Sequence, residues 1–376
     1  MTTAQPDNSG FDPYHVNLST ADPREIICYL SSEGNDYNGN LGARISAIFV
    51  ILILSTVATF FPVAARRLPK LRIPTYVYLF ARYFGAGVIV TTAFIHLLDP
   101  AYGEIGPDTC VGMTGHWADY AWCPAIVLTS VIVIFLLDFG AERYVEIKYG
   151  AVTGPLVEDT VTTNGGSSIG VDSETKQKES RLQALTASAM YSDMYDTKQF
   201  DVEEVSFDEA AAERSYKQQI AAFFILEFGV IVHSVVIGLN LGVVGDEFST
   251  LYPVLVFHQS FEGLGIGARM SAIPFKKRSS LPWLLCAAYG LTTPIAIAIG
   301  LGLRTTYNPN SFTANVVSGV LDSMSAGILI YTGLVELLAR DFIFNPVRTN
   351  NNKRLTFMIV CVLLGAGLMA LLGKWA

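Results

Sequence analysis

Eight stretches of this chain are continuously apolar over lengths that match the thickness of a lipid bilayer. They lie at roughly 43–65, 76–98, 122–142, 220–243, 251–272, 282–302, 315–338 and 355–373. A helix needs about 20 such residues to cross hydrocarbon. None of the stretches alternates apolar and polar residues, so the pattern predicts helices and not the strands of a barrel. The expected fold is an all-α membrane protein of eight transmembrane helices. Residues 144–217 form the one long polar interval, with Thr163-Asn-Gly-Gly-Ser-Ser168 and the acidic Asp201-Val-Glu-Glu204. Such a segment buries no core and is expected to be mostly disordered, with short helices at most. The expected organisation is a tail over 1–41, helices one to three over 42–143, the variable loop over 144–217, and helices four to eight over 218–376.

Lysine and arginine near the span ends set the orientation. The first loop carries Arg66, Arg67, Lys70 and Arg72, the fifth Lys276, Lys277 and Arg278, and the seventh Arg340, Arg348, Lys353 and Arg354. The long third loop adds Arg143, Lys148, Arg214 and Lys217, whereas the second, fourth and sixth loops hold only Arg304. Odd loops are therefore expected in the cytosol and both termini outside, as in a multi-pass plasma-membrane protein. The polar N-terminal tail lacks the pattern of a signal peptide. It contains Asn17-Leu-Ser19, a glycosylation acceptor on the expected outer side.

Composition narrows the class. The chain is 51% apolar and 15% charged, against about 25% charge in soluble domains. The net charge of −8 is local, because residues 144–217 hold 14 Asp/Glu against 7 Lys/Arg. No basic patch points to nucleic acid, and no Walker motif points to ATP. The five cysteines include no C-x-x-C pair, which leaves thiol-based zinc modules unsupported. Cys110 and Cys123 bracket the second loop, which also holds Asp108, His116 and Asp119. Those residues allow either a disulfide or an outer metal-collecting loop.

Of the five histidines, His15 and His116 lie outside the spans, while His96, His233 and His258 lie within them. Polar groups at such depth are costly and call for a role. Two of the three head near-repeats: His233-Ser-Val-Val-Ile-Gly-Leu-Asn-Leu-Gly242 and His258-Gln-Ser-Phe-Glu-Gly-Leu-Gly-Ile-Gly267. His258 and Glu262 are four apart, so they project about 40° apart and one turn along the helix. Gln259 lies one turn before Glu262. His233, Ile237 and Asn240 share a face of the preceding span, with Glu227 towards its expected cytosolic end. A short loop makes the two spans antiparallel neighbours and sets both imidazoles at similar depth. Two imidazoles, one carboxylate and amide oxygens suit Zn²⁺, and also Fe²⁺ or Mn²⁺, better than Ca²⁺ or Mg²⁺. Without thiolates the set favours passage over storage. His96 and Asp99 would end the second span on the outer side as entry ligands. Asp138 and Glu336 lie near inner ends, Glu336 as an exit ligand. Arg82 and Arg269 would snorkel, and Pro294 would kink the sixth span.

The layout of spans, the long third loop and the two histidine segments together resemble the ZIP family of zinc and iron transporters, particularly its fungal plasma-membrane members. The resemblance implies import of divalent metal into the cytosol and an elevator-like movement of one helix group against another. It implies a metal site between the fourth and fifth spans, at His233, Ser234, His258, Gln259 and Glu262, and a homodimer. Ile237 stands where many relatives have a carboxylate, which implies one main site. The third loop lacks the histidines many relatives carry there. The expected function is inward transport of Zn²⁺ as substrate, with no cofactor and no enzymatic activity. The alternatives are a membrane-embedded zinc hydrolase, which lacks an H-E-x-x-H motif, and a receptor with incidental core polar residues.

Overall fold

A computed structural model describes residues 15–17, 19–31, 37–68, 74–149, 202–276, 279–344, 349 and 351–375. The described residues are helical and connecting segments, without strands. The chain divides into two compact units, Met1–Gly140 with Gln219–Ala376, and Ala141–Gln218. Within the second unit, 141–149 and 202–218 are helical. The reading of the third loop as disordered falls on residues outside the described set, as do Lys70, Arg72, Lys277, Arg278 and Arg348. Helices reach into that interval from both sides.

The first unit is built from α1 (Pro23–Ser31), α2 (Leu41–Arg67), α3 (Thr75–Thr91), α4 (Asp99–Ile105), the start of α5 (Trp122–Tyr149) and the end of α6 (Val202–Val243). It continues with α7 (Phe248–Ala272), α8 (Leu281–Leu303), α9 (Phe312–Tyr331) and α10 (Asn352–Leu372). Two π-helical stretches, Thr92–Leu98 and Thr332–Phe344, extend α3 and α9. A helix occupies each of the eight apolar stretches. Six of the described helices are long and apolar enough to cross a membrane. The other two are α7, which buries His258, Gln259 and Glu262, and α9, which buries Asp322, Ser323 and Ser325. On α5, Leu128, Ile132, Phe135, Leu136 and Phe139 all face outward. An apolar face of that extent belongs in lipid. The protein is a multi-pass membrane protein.

Inside the unit, α7 packs on α2 and α3, α8 on α2, α10 on α3, and α4 with the first π stretch on α9. The crossing of α3 and α7 is close because both helices present glycine. A Cβ on Gly265 would lie 2.8 Å from the Gly85 Cα. Arg44 ties α2 to the end of α6. Its buried guanidinium donates to the carbonyls of Leu241 (3.1 Å), Gly242 (3.3 Å) and Val244 (2.5 Å). It also stacks near the rings of Tyr37 and Phe248. The last carbonyls of α6 have no partners within their own helix, so a cation there completes the cap.

Several expectations need correction. Cys110 pairs with Cys28, not with Cys123. The N-terminal tail folds α1 and brings Cys28 to the loop. Cys123 is a buried free thiol that accepts a hydrogen bond from Ser323 at 3.4 Å. Arg82 and Arg269 do not snorkel. Arg82 forms a two-pronged pair with Asp341 (2.8 and 3.0 Å), and Arg269 reaches Glu336 at 3.3 Å. A charge that finds a fixed counter-ion within the bundle has no need to stretch towards water.

Two outcomes follow. Non-reducing peptide mapping will show a Cys28–Cys110 cross-link and leave Cys123 alkylatable only after denaturation. Arg44→Met will lower stability by about 1–3 kcal/mol, because it strands buried carbonyls, read as a fall in the detergent unfolding midpoint.

Candidate metal centre

The sequence places His233 on α6 and His258 and Glu262 on α7, joined by the short connection at Val244–Glu247. The folded chain brings all three together. One ligand atom from each lies within 4.8 Å of the others, and all three side chains are buried. His233 Nε2 is 3.2 Å from His258 Nε2, and His258 Nε2 is 3.9 Å from Glu262 Oε2. Two nitrogens bound tetrahedrally to zinc at about 2.0–2.1 Å are about 3.3 Å apart. The imidazole pair is therefore already spaced as two corners of such a site.

Around this triad several polar atoms have no hydrogen-bond partner among the described residues. They are His258 Nδ1, Glu262 Oε1, Ser234 Oγ and Gln259 Nε2. Buried polar atoms are normally paired, so a cluster of unpaired ones marks a place built to receive something polar. Gln259 Oε1 accepts from the Tyr289 hydroxyl at 3.1 Å, and the same hydroxyl lies 3.4 Å from Glu262 Oε2. Tyr289, on α8, thus bridges the amide and the carboxylate and fixes their rotamers. Sequence reasoning missed it; the signal was the one tyrosine of the sixth apolar stretch. Thr92, buried and facing Glu262, was missed as well.

The remaining expected residues divide. His96 packs edge-on to the His258 ring, with centroids 4.7 Å apart, and its Nε2 is 3.1 Å from the Met369 carbonyl. It belongs to the wall of the centre, not to the end of its span, because α3 and its π and α4 extensions run on to Ile105. Asp99 does not join it. The π stretch ends there, and Asp99 is exposed while His96 is buried. Asn240 is likewise exposed, turned away from the face that carries His233. Glu227 is buried on α6, about two turns from His233, with both oxygens unpartnered. Glu336 stands apart in an ion-pair cluster, shared between Arg269 (3.3 Å) and Arg340 (2.7 Å). Asp138 accepts from the Tyr331 hydroxyl at 2.8 Å. Outside, exposed His116 lies 3.4 Å from Asp119. With Cys110 held by Cys28, the second loop keeps only that exposed pair beside Asp108.

A buried pair of imidazoles and a carboxylate contributed by consecutive helices is the arrangement that the two histidine segments predicted. Residues 41–373 match the family model described as ZIP Zinc transporter. The chain belongs to the ZIP zinc transporter family. It is 56% identical to Zinc-regulated transporter 1 of Saccharomyces cerevisiae over 97% of both chains. It is 40% identical to Zinc-regulated transporter 1 of Schizosaccharomyces pombe over 92% of this chain and 88% of that one. It is 34% identical to Zinc transporter 3 of Arabidopsis thaliana over 93% and 90%. ZIP proteins are membrane metal transporters and not enzymes, and the hydrolase reading has no support.

Tyr289→Phe removes the hydroxyl that holds Gln259 and Glu262. Losing such an orienting hydrogen bond weakens metal affinity about 10–100-fold. The apparent KM for metal uptake will rise within that range, while Asn240→Ala will leave it at the wild-type value.

Proposed function

We propose that this protein imports Zn²⁺ across the plasma membrane through the centre formed by His233, His258 and Glu262. The single observation that carries the reading is the triad: three metal-capable atoms within 4.8 Å of one another, all buried, on two consecutive helices. The names of its fungal relatives, both zinc-regulated transporters, support zinc as the cargo. Fe²⁺ is a secondary cargo on the same ligand chemistry.

In this reading all eight long helices span the membrane, α7 and α9 included, and both termini lie outside. Residues 1–41 form the extracellular tail, 144–217 the cytosolic loop, and 42–143 and 218–376 the two membrane parts. The cytosolic ends are then those that carry Arg66, Arg269 and Arg340. Zinc arrives past Asp99 at the mouth and His96 in the wall. It exchanges water for two imidazoles and the Glu262 carboxylate, with Ser234 and Gln259 beside it. It leaves towards Glu227. Glu336 contributes only once its two guanidinium partners release it. One helix group moves against another in an elevator-like step, and the working unit is a homodimer. Inward movement of two charges is favoured by about 4.6 kcal/mol per 100 mV, so no nucleotide is needed.

The test is uptake of labelled zinc in cells that lack their own importer, with the protein at measured surface density. Wild type will accumulate zinc, with unlabelled iron as the weaker competitor. His258→Ala and Glu262→Gln will reduce the rate to the background of empty cells at equal density. Wild-type uptake at background, or full uptake by both variants, would refute the proposal.

A further inference from the structure

Towards the arginine-bearing end of the bundle, a second group of metal-capable atoms lies outside the triad. Cys286 on α8 and Met270 on α7 are both fully buried, with Sγ and Sδ 3.6 Å apart. Two sulfurs bound tetrahedrally at about 2.3 Å are separated by about 3.8 Å, so this pair sits close to the edge of such a site. The Cys286 thiol also faces the Thr59 carbonyl at 3.8 Å. The packing of α6 on α8 brings an acid to the same level. Gly238 lies against Ala296, and Gly242 against Gly300 and Leu301, so the two helices run parallel and in step. Following that register back about three turns sets Glu227 beside the turn that holds Cys286.

Glu227 itself is 3% exposed, and neither of its oxygens has a partner. Among the described residues it forms no ion pair. A lone carboxylate in an apolar interior is costly unless a counter-charge meets it. Neither sulfur supplies one. A cation would satisfy the carboxylate and use both sulfurs at once.

We propose that Glu227, Cys286 and Met270 form a second cation site, distinct from the His233–His258–Glu262 centre, that takes a thiophilic divalent cation. One carboxylate, one thiol and one thioether make a softer set than two imidazoles and a carboxylate. Cadmium is therefore held more strongly here, relative to zinc, than at the triad. Loading replaces the thiol proton with a metal–sulfur bond, and the proton leaves to solvent. Among the described residues, neither of the other two free thiols contacts a thioether sulfur as Cys286 does. Cys123 engages Ser323, and Cys361 sits in an apolar cluster with Met358, Phe84 and Val88.

The experiment is a cadmium titration of the full-length protein in detergent, followed by the ultraviolet charge-transfer band of a cadmium–thiolate bond. Wild type will develop the band to a plateau of one thiolate-bound cadmium per chain. Cys286→Ser will abolish it, while Cys123→Ser and Cys361→Ser will retain it. Glu227→Gln and Met270→Leu will retain the band but raise the cadmium dissociation constant about tenfold or more. His258→Ala will also retain it, so the outcome separates this site from the triad and from transport. No band in wild type, or an undiminished band in Cys286→Ser, would overturn the proposal. If Cys286→Ser fails to fold, the dissociation constants of Glu227→Gln and Met270→Leu decide, and wild-type values in both would overturn it equally.

Discussion

Two imidazole nitrogens held 3.2 Å apart in the buried interior set the terms for the rest of the molecule. Such a pair is tolerable in an apolar core only if each ring is placed by its own helix and neither has room to withdraw. That requires α6 and α7 to be adjacent and antiparallel, with their histidines at one depth. The connection between them is only a few residues long, and it enforces the first condition. The cap that Arg44 provides on the last carbonyls of α6 enforces the second, because it fixes where α6 ends relative to α2.

The surrounding packing serves the same constraint. α7 carries the His258–Glu262 pair and packs against α2 and α3. Its glycines admit that enclosure. Gly265 meets Gly85 backbone to backbone, and Gly263 lies against Thr59 and Tyr289. Tyr289 then reaches across to the acid and the amide. Apolar surface is left to the rim, where α5 turns large side chains outward. Part of the charge outside the centre is neutralised locally, in the Arg82–Asp341 and Arg269–Glu336–Arg340 groups. Among the described residues, unpaired buried polar atoms occur around the triad, at His258, Glu262, Ser234 and Gln259, and also away from it, at Glu104, Glu227 and Asp322.

Much of this was legible in the sequence because its period is simple. Eight apolar runs gave eight helices, and the i, i+4 spacing of His258 and Glu262 put both on one face. The same reasoning failed where helix geometry departs from 3.6 residues per turn. His96 and Asp99 were expected together one turn apart, yet a π-helical stretch separates a buried ring from an exposed acid. Asn240 shared a nominal face with His233, but the face turns outward before the helix ends. Long-range pairings were beyond reach as well. Nothing local to Cys28 announces Cys110 as its partner, and nothing local to Arg82 or Arg269 announces Asp341 or Glu336. Arg44 escaped notice because a basic residue at a span end looks like any interfacial anchor, whereas its role depends on carbonyls some two hundred residues away.

The central claim is that zinc is held by two imidazoles and one carboxylate from α6 and α7. Zinc K-edge X-ray absorption on the purified protein, loaded with a single equivalent, tests it most directly. The account predicts a nitrogen/oxygen first shell with the outer-shell scattering of two imidazole rings, reduced to one ring in His233→Ala. A first shell without imidazole scattering, or a spectrum unchanged by that substitution, would contradict it.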